Sequence, residues 1–147
     1  MKVHLAADHG GFELKEKIKG WLGEWGHEAT DHGAFRLDQA DDYPDFVMPA
    51  AKAVAKDQKS LGVVLGRSGN GEAIVANKVK GVRAAVGVNV EMARKAREHN
   101  DANVLALGGD YVSEAEAKEI VRTFLETPFS SDERHVRRIE KVMALER

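Results

Sequence analysis

The strongest constraint on the fold is a regular alternation of short apolar segments with longer amphipathic ones. Five segments are short enough for strands, and they fall at 3–7, 28–31, 61–65, 82–88 and 104–107. Segments with helical spacing of their apolar residues lie between and after them, at 12–25, 44–57, 72–79, 91–99 and 113–126. Strands and helices that alternate in this way form a parallel sheet with helices on both faces. We therefore predict one α/β domain over residues 1–147.

Several helix ends are marked by residues that favour them. Gly26 closes the first helix, and Pro44 opens the second. The segment 113–116 reads Ser-Glu-Ala-Glu, which is a capping box at the start of a helix. The polar segment 130–133 is predicted to cap a last helix that reaches Leu145. This last helix is additional to the strand–helix alternation.

Composition favours an ordinary globular protein. The chain has 147 residues, 43% of them hydrophobic and 31% charged, which suffices for a core. A formal charge of −2 offers no basic surface for nucleic acid, and no run of 18 apolar residues could span a membrane. Cysteine is absent, so disulfides, thiolate chemistry and Cys-ligated metals are excluded. The chain begins directly with a strand and shows no leader, so we expect a cytoplasmic protein.

The segment 61–72 carries the most functional information, and it reads Leu-Gly-Val-Val-Leu-Gly-Arg-Ser-Gly-Asn-Gly-Glu. A buried strand runs into a glycine-rich turn, where glycines let backbone N–H groups come close to a ligand. The helix that follows points the positive end of its dipole at the same place, which favours an anion or a developing oxyanion. Ser68 and Glu72 lie inside this turn. A carboxylate beside an anion hole can serve as a proton-abstracting base.

The same motif also fits a plain phosphate loop, with Glu72 as a favourable first-turn acid and Ser68 as a turn former. It is not a Walker loop, because no Gly-Lys-Ser/Thr follows. It is also a poor dinucleotide fingerprint, because no acidic residue ends the next predicted strand, 82–88. Taken alone, the residues leave both anion binding and base catalysis open.

Further polar residues lie near the ends of predicted strands. Ligands bind at the carboxyl ends of the strands in such sheets, and we expect these residues to gather there: Asp8, His9, Ser68, Glu72, His99 and Asn100. Asp8 and His9 directly follow the first strand, where a functional pair and a helix N-cap by Asp8 are equally open. His99 ends a helix, where a cation also stabilises the dipole.

Two arginines of the last helix are a second candidate group. Arg134 and Arg138 lie four residues apart and share a helix face, so they could grip one phosphate together. The alternative is a solvated basic face. His4, His27 and His32 have no spacing typical of metal ligands, so we assign them no role and predict no metal site.

Five motifs occur in the order found in one known family. They are 7–15 (ADHGGFELK), 42–44 (DYP), 66–72 with 76–78 (GRSGNGE, ANK), 97–103 (REHNDAN) and 134–138 (RHVRR). Together they resemble the type B ribose-5-phosphate isomerases, whose family includes the galactose-6-phosphate isomerase subunits of the lactose pathway. The resemblance covers nearly the whole chain. It implies a Rossmann-like three-layer α/β/α sandwich with a five-stranded sheet, and a homodimer or dimer of dimers with shared active sites.

The implied reaction interconverts D-ribose 5-phosphate and D-ribulose 5-phosphate through a cis-enediolate, without a metal or other cofactor. By resemblance, Glu72 is the base for the carbon-bound proton and Ser68 helps to move the proton between O1 and O2. His99 opens the sugar ring, with Asp8 nearby. The implied substrate contacts are the amides of Gly69, Asn70 and Gly71 on the enediolate, Tyr43 and Asn100 on the sugar, and His9, Arg134 and Arg138 on the phosphate.

Three positions distinguish this chain within the family pattern. Gly66 stands where many members carry a catalytic cysteine, so the chain resembles the cysteine-free branch that uses the glutamate at position 72. Asp110 stands where an arginine that contacts phosphate is common, and Arg67 stands where glycine is usual. Arg67 either replaces the lost cation or alters substrate choice. Isomerisation of a six-carbon aldose phosphate, such as allose or galactose 6-phosphate, and a non-catalytic sugar-phosphate binding module are the alternatives.

Overall fold

Five parallel strands form one sheet at the centre of the computed structural model, which describes residues 1–146. The strands are β1 (Lys2–Ala7), β2 (Glu28–Asp31), β3 (Leu61–Gly66), β4 (Ala84–Val86) and β5 (Val104–Gly108). Their order in the sheet is β2-β1-β3-β5-β4, and all neighbouring pairs are parallel. The predicted five-stranded parallel sheet is confirmed. β4 is shorter than the predicted strand 82–88. At its amino end, the Arg83 amide bonds the side chain of Asn103 instead of extending the ladder.

Six helices accompany the sheet within residues 1–146. They are α1 (Phe12–Glu24), α2 (Pro44–Lys56), α3 (Asn70–Asn77), α4 (Val90–Asn100), α5 (Glu114–Glu126) and α6 (Glu133–Met143). The predicted capping box at Ser113 is present. α3 begins earlier than predicted, because Gly69 adopts a φ of +84° at its N-cap. The cap predicted for α6 is wrong: Asp132 at its N-cap makes no side-chain capping bond, and the hydroxyl of Ser130 bonds His135 instead.

The helices cover both faces of the sheet, so the strands are apolar on both sides. All six residues of β3 are buried. On one face, Leu5 and Leu65 pack with α1, α4 and α5, and on the other, Ala6 and Val64 pack with α2 and α3. α6 packs beside α4. Among residues 1–146, no helix combines the length and apolar character needed to cross a bilayer.

Because the strands are parallel, their carboxyl ends lie together at one edge of the sheet and their amino ends at the other. We call these the carboxyl edge and the amino edge. The loops after β1, β3 and β5 meet at the carboxyl edge. The helices α1 to α4 each return the chain to the amino edge before the next strand begins.

Candidate active site

Glu72 lies in the first turn of α3, at the carboxyl edge, with only 4% of its surface exposed. Its carboxylate occupies the space beside Gly66, because a Cβ added there would lie 1.8 Å from Glu72 Oε1. Any side chain at position 66 would therefore displace the carboxylate of Glu72. A cysteine at position 66 would therefore clash with the observed position of the Glu72 carboxylate, whereas glycine leaves room for it.

The environment of Glu72 also tunes its acidity. Burial raises the pKa of Glu72 above its ordinary value, and the nearby charge of Asp8 adds to the rise. Hydrogen bonds from the backbone of Glu72 itself and of Gly69 oppose it. A buried carboxyl with a raised pKa beside a second carboxyl is a typical arrangement for a general base.

The turn that leads into α3 depends on close contacts that only glycine permits. The ring of Tyr43 packs on Gly71, where an added Cβ would lie 2.6 Å from Tyr43 Cζ. A Cβ on Gly108 would lie 2.5 Å from the carbonyl oxygen of Ser68. The hydroxyl of Ser68 accepts a hydrogen bond from the amide of Asn70 at 3.2 Å. Ser68, Tyr43 and the start of α3 thus lie close together at the carboxyl edge, where the positive end of the α3 dipole favours a negatively charged oxygen.

Asp8 and His9 lie at the same edge, directly after β1. Asp8 is buried, and its Oδ1 accepts a hydrogen bond from the amide of Gly10 at 2.9 Å. The interpretation of Asp8 as the N-cap of α1 is wrong, because Gly11 occupies that position and α1 has no side-chain cap. Position 11 needs a glycine because an added Cβ would lie 2.6 Å from Leu65 Cβ.

Asp41 is a site residue that the sequence did not reveal. Its Oδ1 accepts a hydrogen bond from the His9 amide at 3.0 Å and lies 2.7 Å from His9 Nδ1. Asp8, His9 and Asp41 each bring one potential metal-ligand atom within 4.8 Å of the others. The spacing of these residues did not indicate such a group, since Asp41 is distant from His9 in sequence. Its only signal was its position just before the motif 42–44.

Arg67 and Asp110, the two departures from the family pattern, form one ion pair. Arg67 Nη1 lies 3.6 Å from Asp110 Oδ2, with 61% and 52% of these side chains exposed. The amide of Asp110 also donates to the carbonyl of Arg67 at 3.1 Å. The stem of Arg67 lies over Gly10, where an added Cβ would be 2.6 Å from Arg67 Cγ. The pair therefore lies at the carboxyl edge, beside the turn that carries Asp8 and His9.

His99 and Asn100 lie at the amino edge, opposite Glu72. They end α4, which leads directly into β5, and the carbonyl of Asn100 accepts a hydrogen bond from Arg83 Nε at 2.9 Å just before β4. The expectation that they join the other candidates at the carboxyl edge of the same chain is wrong. A helix that connects two parallel strands must return the chain to the amino edge.

α6 brings two arginines to the same side as His99 and Asn100. Arg138 and Asn100 line a cavity of about 620 Å³ between α6 and the start of β4. The ring of His99 stacks near that of His135, with centroids 4.3 Å apart. Burial lowers the pKa of His135, and the charges of His99 and Arg134 lower it further.

The candidate residues thus form two groups. The carboxyl-edge group consists of Asp8, His9, Tyr43, Arg67, Ser68, Gly69, Asn70, Gly71 and Glu72. The amino-edge group consists of His99, Asn100, Arg134 and Arg138. One group contains the buried carboxylate and the amide turn, and the other contains an imidazole and two cations.

Comparison with known proteins identifies the family. Residues 3–142 match the family model described as Ribose/Galactose Isomerase. The chain belongs to this family. It is 50% identical over 147 residues to the ribose-5-phosphate isomerase B of Mycolicibacterium paratuberculosis. The match covers 100% of this chain and 92% of that protein. The resemblance found in the sequence is therefore confirmed.

Solved structures of ribose/galactose isomerases share the fold closely. Ribose-5-phosphate isomerase B from Mycoplasma genitalium, solved with bound ribulose-5-phosphate, has a TM-score of 0.94 at 39% identity and covers 97% of this chain and 94% of that chain. The corresponding protein of Clostridium thermocellum has a TM-score of 0.94 at 44% identity and covers 99% and 97%. The predicted Rossmann-like α/β/α sandwich is confirmed.

Proposed function

We propose that this chain interconverts D-ribose 5-phosphate and D-ribulose 5-phosphate, an aldose–ketose isomerisation of the pentose phosphate pathway. The observation that carries the proposal is the buried carboxylate of Glu72, with its raised pKa, beside the amide turn that opens α3. An anion-binding module needs the amides but gains nothing from a buried base. The relatives named ribose-5-phosphate isomerase B, which match over the full chain, support the choice of substrate.

The chemistry follows from the arrangement of the carboxyl-edge group. Moving the carbonyl from C1 to C2 requires removal of the proton on C2, which leaves a cis-enediolate. Glu72 accepts that proton and returns it to C1. The amides at the start of α3, with the helix dipole behind them, stabilise the negative oxygen of the enediolate. Ser68 moves the remaining proton between O1 and O2.

The sugar arrives mainly as a closed furanose, so an acid–base group must open the ring. We assign this step to His99 and phosphate binding to His9, Arg134 and Arg138. Within one chain, His99 and both arginines lie at the amino edge, away from Glu72. We therefore propose a homodimer or dimer of dimers, in which the amino-edge group of one subunit completes the carboxyl-edge group of its partner.

Exposed apolar side chains beside both groups support this assembly. Ile74, Val88, Met92 and Tyr111 are exposed around the carboxyl edge, and Val136, Val142 and Leu145 are exposed on or just after α6. In a two-fold symmetric dimer, the apolar surface at the carboxyl edge of each subunit would pack against the apolar surface of α6 in its partner. Both exposed surfaces would then be buried in each subunit.

We propose that the reaction needs no metal, because the amide turn and the α3 dipole supply the positive potential. Activity should survive exhaustive treatment with a chelator. Loss of activity that one divalent metal restores would contradict this proposal, and Asp8, His9 and Asp41 would then be the candidate ligands. We place the enzyme in the cytoplasm, since a doubly charged sugar phosphate does not cross a bilayer unaided.

A turnover assay on the purified protein tests the function. The assay compares D-ribose 5-phosphate, D-allose 6-phosphate and D-galactose 6-phosphate as substrates. The Glu72→Gln variant is the negative control. We expect the highest kcat/KM for the five-carbon substrate. A higher kcat/KM for a six-carbon substrate would favour isomerisation of allose or galactose 6-phosphate. Binding of all three without turnover would reject the proposal in favour of a binding module.

A further inference from the structure

Asp41 is a buried carboxylate for which the proposed reaction has no use. Its side chain is only 8% exposed, compared with 20% for His9. Oδ1 contacts both the amide and the ring Nδ1 of His9, at 3.0 Å and 2.7 Å. Oδ2 is buried and has no hydrogen-bond partner among residues 1–146. A buried carboxylate with one unpaired oxygen costs free energy, so its presence requires a reason other than stability.

The contact with Asp41 decides which nitrogen of the His9 ring carries a proton. A carboxylate only accepts hydrogen bonds, so Nδ1 of His9 must be the donor. The ring is therefore held by Nδ1, and Nε2 is left as the nitrogen that can meet a ligand. Because the same oxygen also holds the His9 amide, Asp41 fixes both the backbone and the ring of His9.

The loop after β2, which leads to Asp41, is anchored at its start beside the end of β1. Lys15 is fully buried in α1 and donates to both oxygens of Asp31 at 2.8 Å and to the carbonyl of Ala34 at 2.7 Å. The amide of Ala34 donates to the carbonyl of Ala7 at 2.6 Å, at the end of β1. The chain that leaves β2 is thus tied to the residue that precedes Asp8 and His9. A support of this kind holds a site residue in one position.

We propose that Asp41 is a positioning residue that orients His9 toward the phosphate of the substrate. This inference rests on the proposed function in one respect, namely that His9 binds the phosphate. Asp41 itself does not touch the substrate. It acts through His9, so its effect must disappear when His9 is removed.

Steady-state kinetics of two variants test the proposal. Asp41→Ala should raise KM for D-ribose 5-phosphate about tenfold with a smaller change in kcat, as expected for loss of one hydrogen bond that acts on binding. Asp41→Asn keeps an acceptor oxygen for Nδ1 and should stay within about threefold of the wild type. Asp45→Ala and Asp45→Asn are the matched controls, because Asp45 is an exposed acid at the start of α2.

A double-mutant cycle separates positioning from a general structural effect. In a His9→Asn background, Asp41→Ala should leave KM unchanged within about twofold, because there is no imidazole to orient. An equal rise in KM in both backgrounds would show that Asp41 acts independently of His9, and would overturn the proposal. Circular dichroism of each variant checks that the fold is retained.

The protonation of the His9 ring provides a readout that does not depend on turnover. Nitrogen NMR of the histidine side chains should show a proton on Nδ1 of neutral His9 in the wild type and a mixture of tautomers in Asp41→Ala. An unchanged tautomer in Asp41→Ala would overturn the proposal even in an active enzyme. A lost Nδ1 proton in a protein without isomerase activity would sustain the positioning role while rejecting the proposed function.

Discussion

The carboxyl-edge group and the amino-edge group differ in how their residues are packed within one chain. Glu72 is buried, and its pKa is raised. Gly66 leaves room only for the carboxylate of Glu72, and Gly71 only for the ring of Tyr43. Arg134 and Arg138, in contrast, are exposed on a surface helix. Proton abstraction needs a desolvated base, which only packing within the fold provides. Capture of a phosphate needs accessible cations, which a second subunit can supply.

The largest expected effect comes from removing Glu72, the proposed base. Glu72→Gln preserves shape but cannot accept a proton, so kcat should fall by at least about 100-fold, while substrate binding survives. Single-turnover kinetics and a binding titration with D-ribose 5-phosphate measure the two separately. Near-normal turnover would remove Glu72 from the mechanism and leave the carboxyl-edge group as an anion site.

Mixing two inactive variants tests whether the two groups belong to different subunits. Glu72→Gln and His99→Asn should each be nearly inactive alone. After the subunits are exchanged, half of the dimers are mixed and one of their two sites is intact, so activity should return to about a quarter of the wild-type value. If the mixture stays as inactive as its components under conditions in which subunits demonstrably exchange, both groups must act within one chain.

Gly66→Ala tests whether the carboxyl-edge group is as tightly packed as its contacts indicate. The added methyl group would lie 1.8 Å from Glu72 Oε1, so the carboxylate must move and kcat should fall at least about tenfold. Gly23→Ala is the matched control, because a Cβ there meets nothing within 4 Å. Equal activities of the two variants would show that Glu72 has room to move without loss of function.

The contrast between the groups also explains what the sequence could predict. The β3–α3 turn was predictable, because its strand, glycines and helix start are adjacent in sequence and depend on local conformation. The partnership of Asp41 with His9 was not, because it depends on how the loop after β2 packs across β1. The predicted placement of His99 was wrong, although the strand–helix alternation was sufficient to predict it correctly. A helix that connects two parallel strands ends at the amino edge, and His99 ends such a helix.

The order of the motifs carried information that no single motif had. Ser68 and Glu72 alone left anion binding and base catalysis open, while five ordered motifs identified the family correctly. The sequence suggested that Arg67 could replace the cation lost at position 110, but it did not predict an ion pair between Arg67 and Asp110, because the two residues follow different strands. Only the packing of the loops after β3 and β5 shows that they contact each other.

The pH dependence of Glu72 affects activity and stability in opposite directions. Burial raises its pKa, so kcat should fall with decreasing pH at values above those where an exposed glutamate titrates. The protonated carboxyl stabilises the fold, fully below the unfolded pKa, and this contribution is lost as pH rises through the folded pKa. Glu72→Gln should therefore be more stable than the wild type at neutral pH, with a difference that disappears in acid. Denaturant unfolding at several pH values measures it, and a constant difference would contradict the shift.

The smallest expected effect concerns the ion pair at the mouth of the carboxyl-edge group. Arg67 lies beside the turn that carries His9, but Asp110 already partly neutralises it and both side chains are more than half exposed. Such a cation contributes little, so Arg67→Gly should raise KM for D-ribose 5-phosphate only about two- to tenfold, with kcat nearly unchanged.

Asp110 provides the complementary test of the same pair. Asp110→Asn frees Arg67 from its partner and should lower KM, if Arg67 reaches the phosphate. Asp110→Arg in the Arg67→Gly background should recover part of the lost binding, because it restores the arrangement common in the family. Steady-state kinetics at low and high salt measure both effects, since screening weakens an exposed cation. If neither Arg67→Gly nor Asp110→Asn changes KM, the pair only balances its own charges, and phosphate binding depends on His9 and the amino-edge group of the partner subunit.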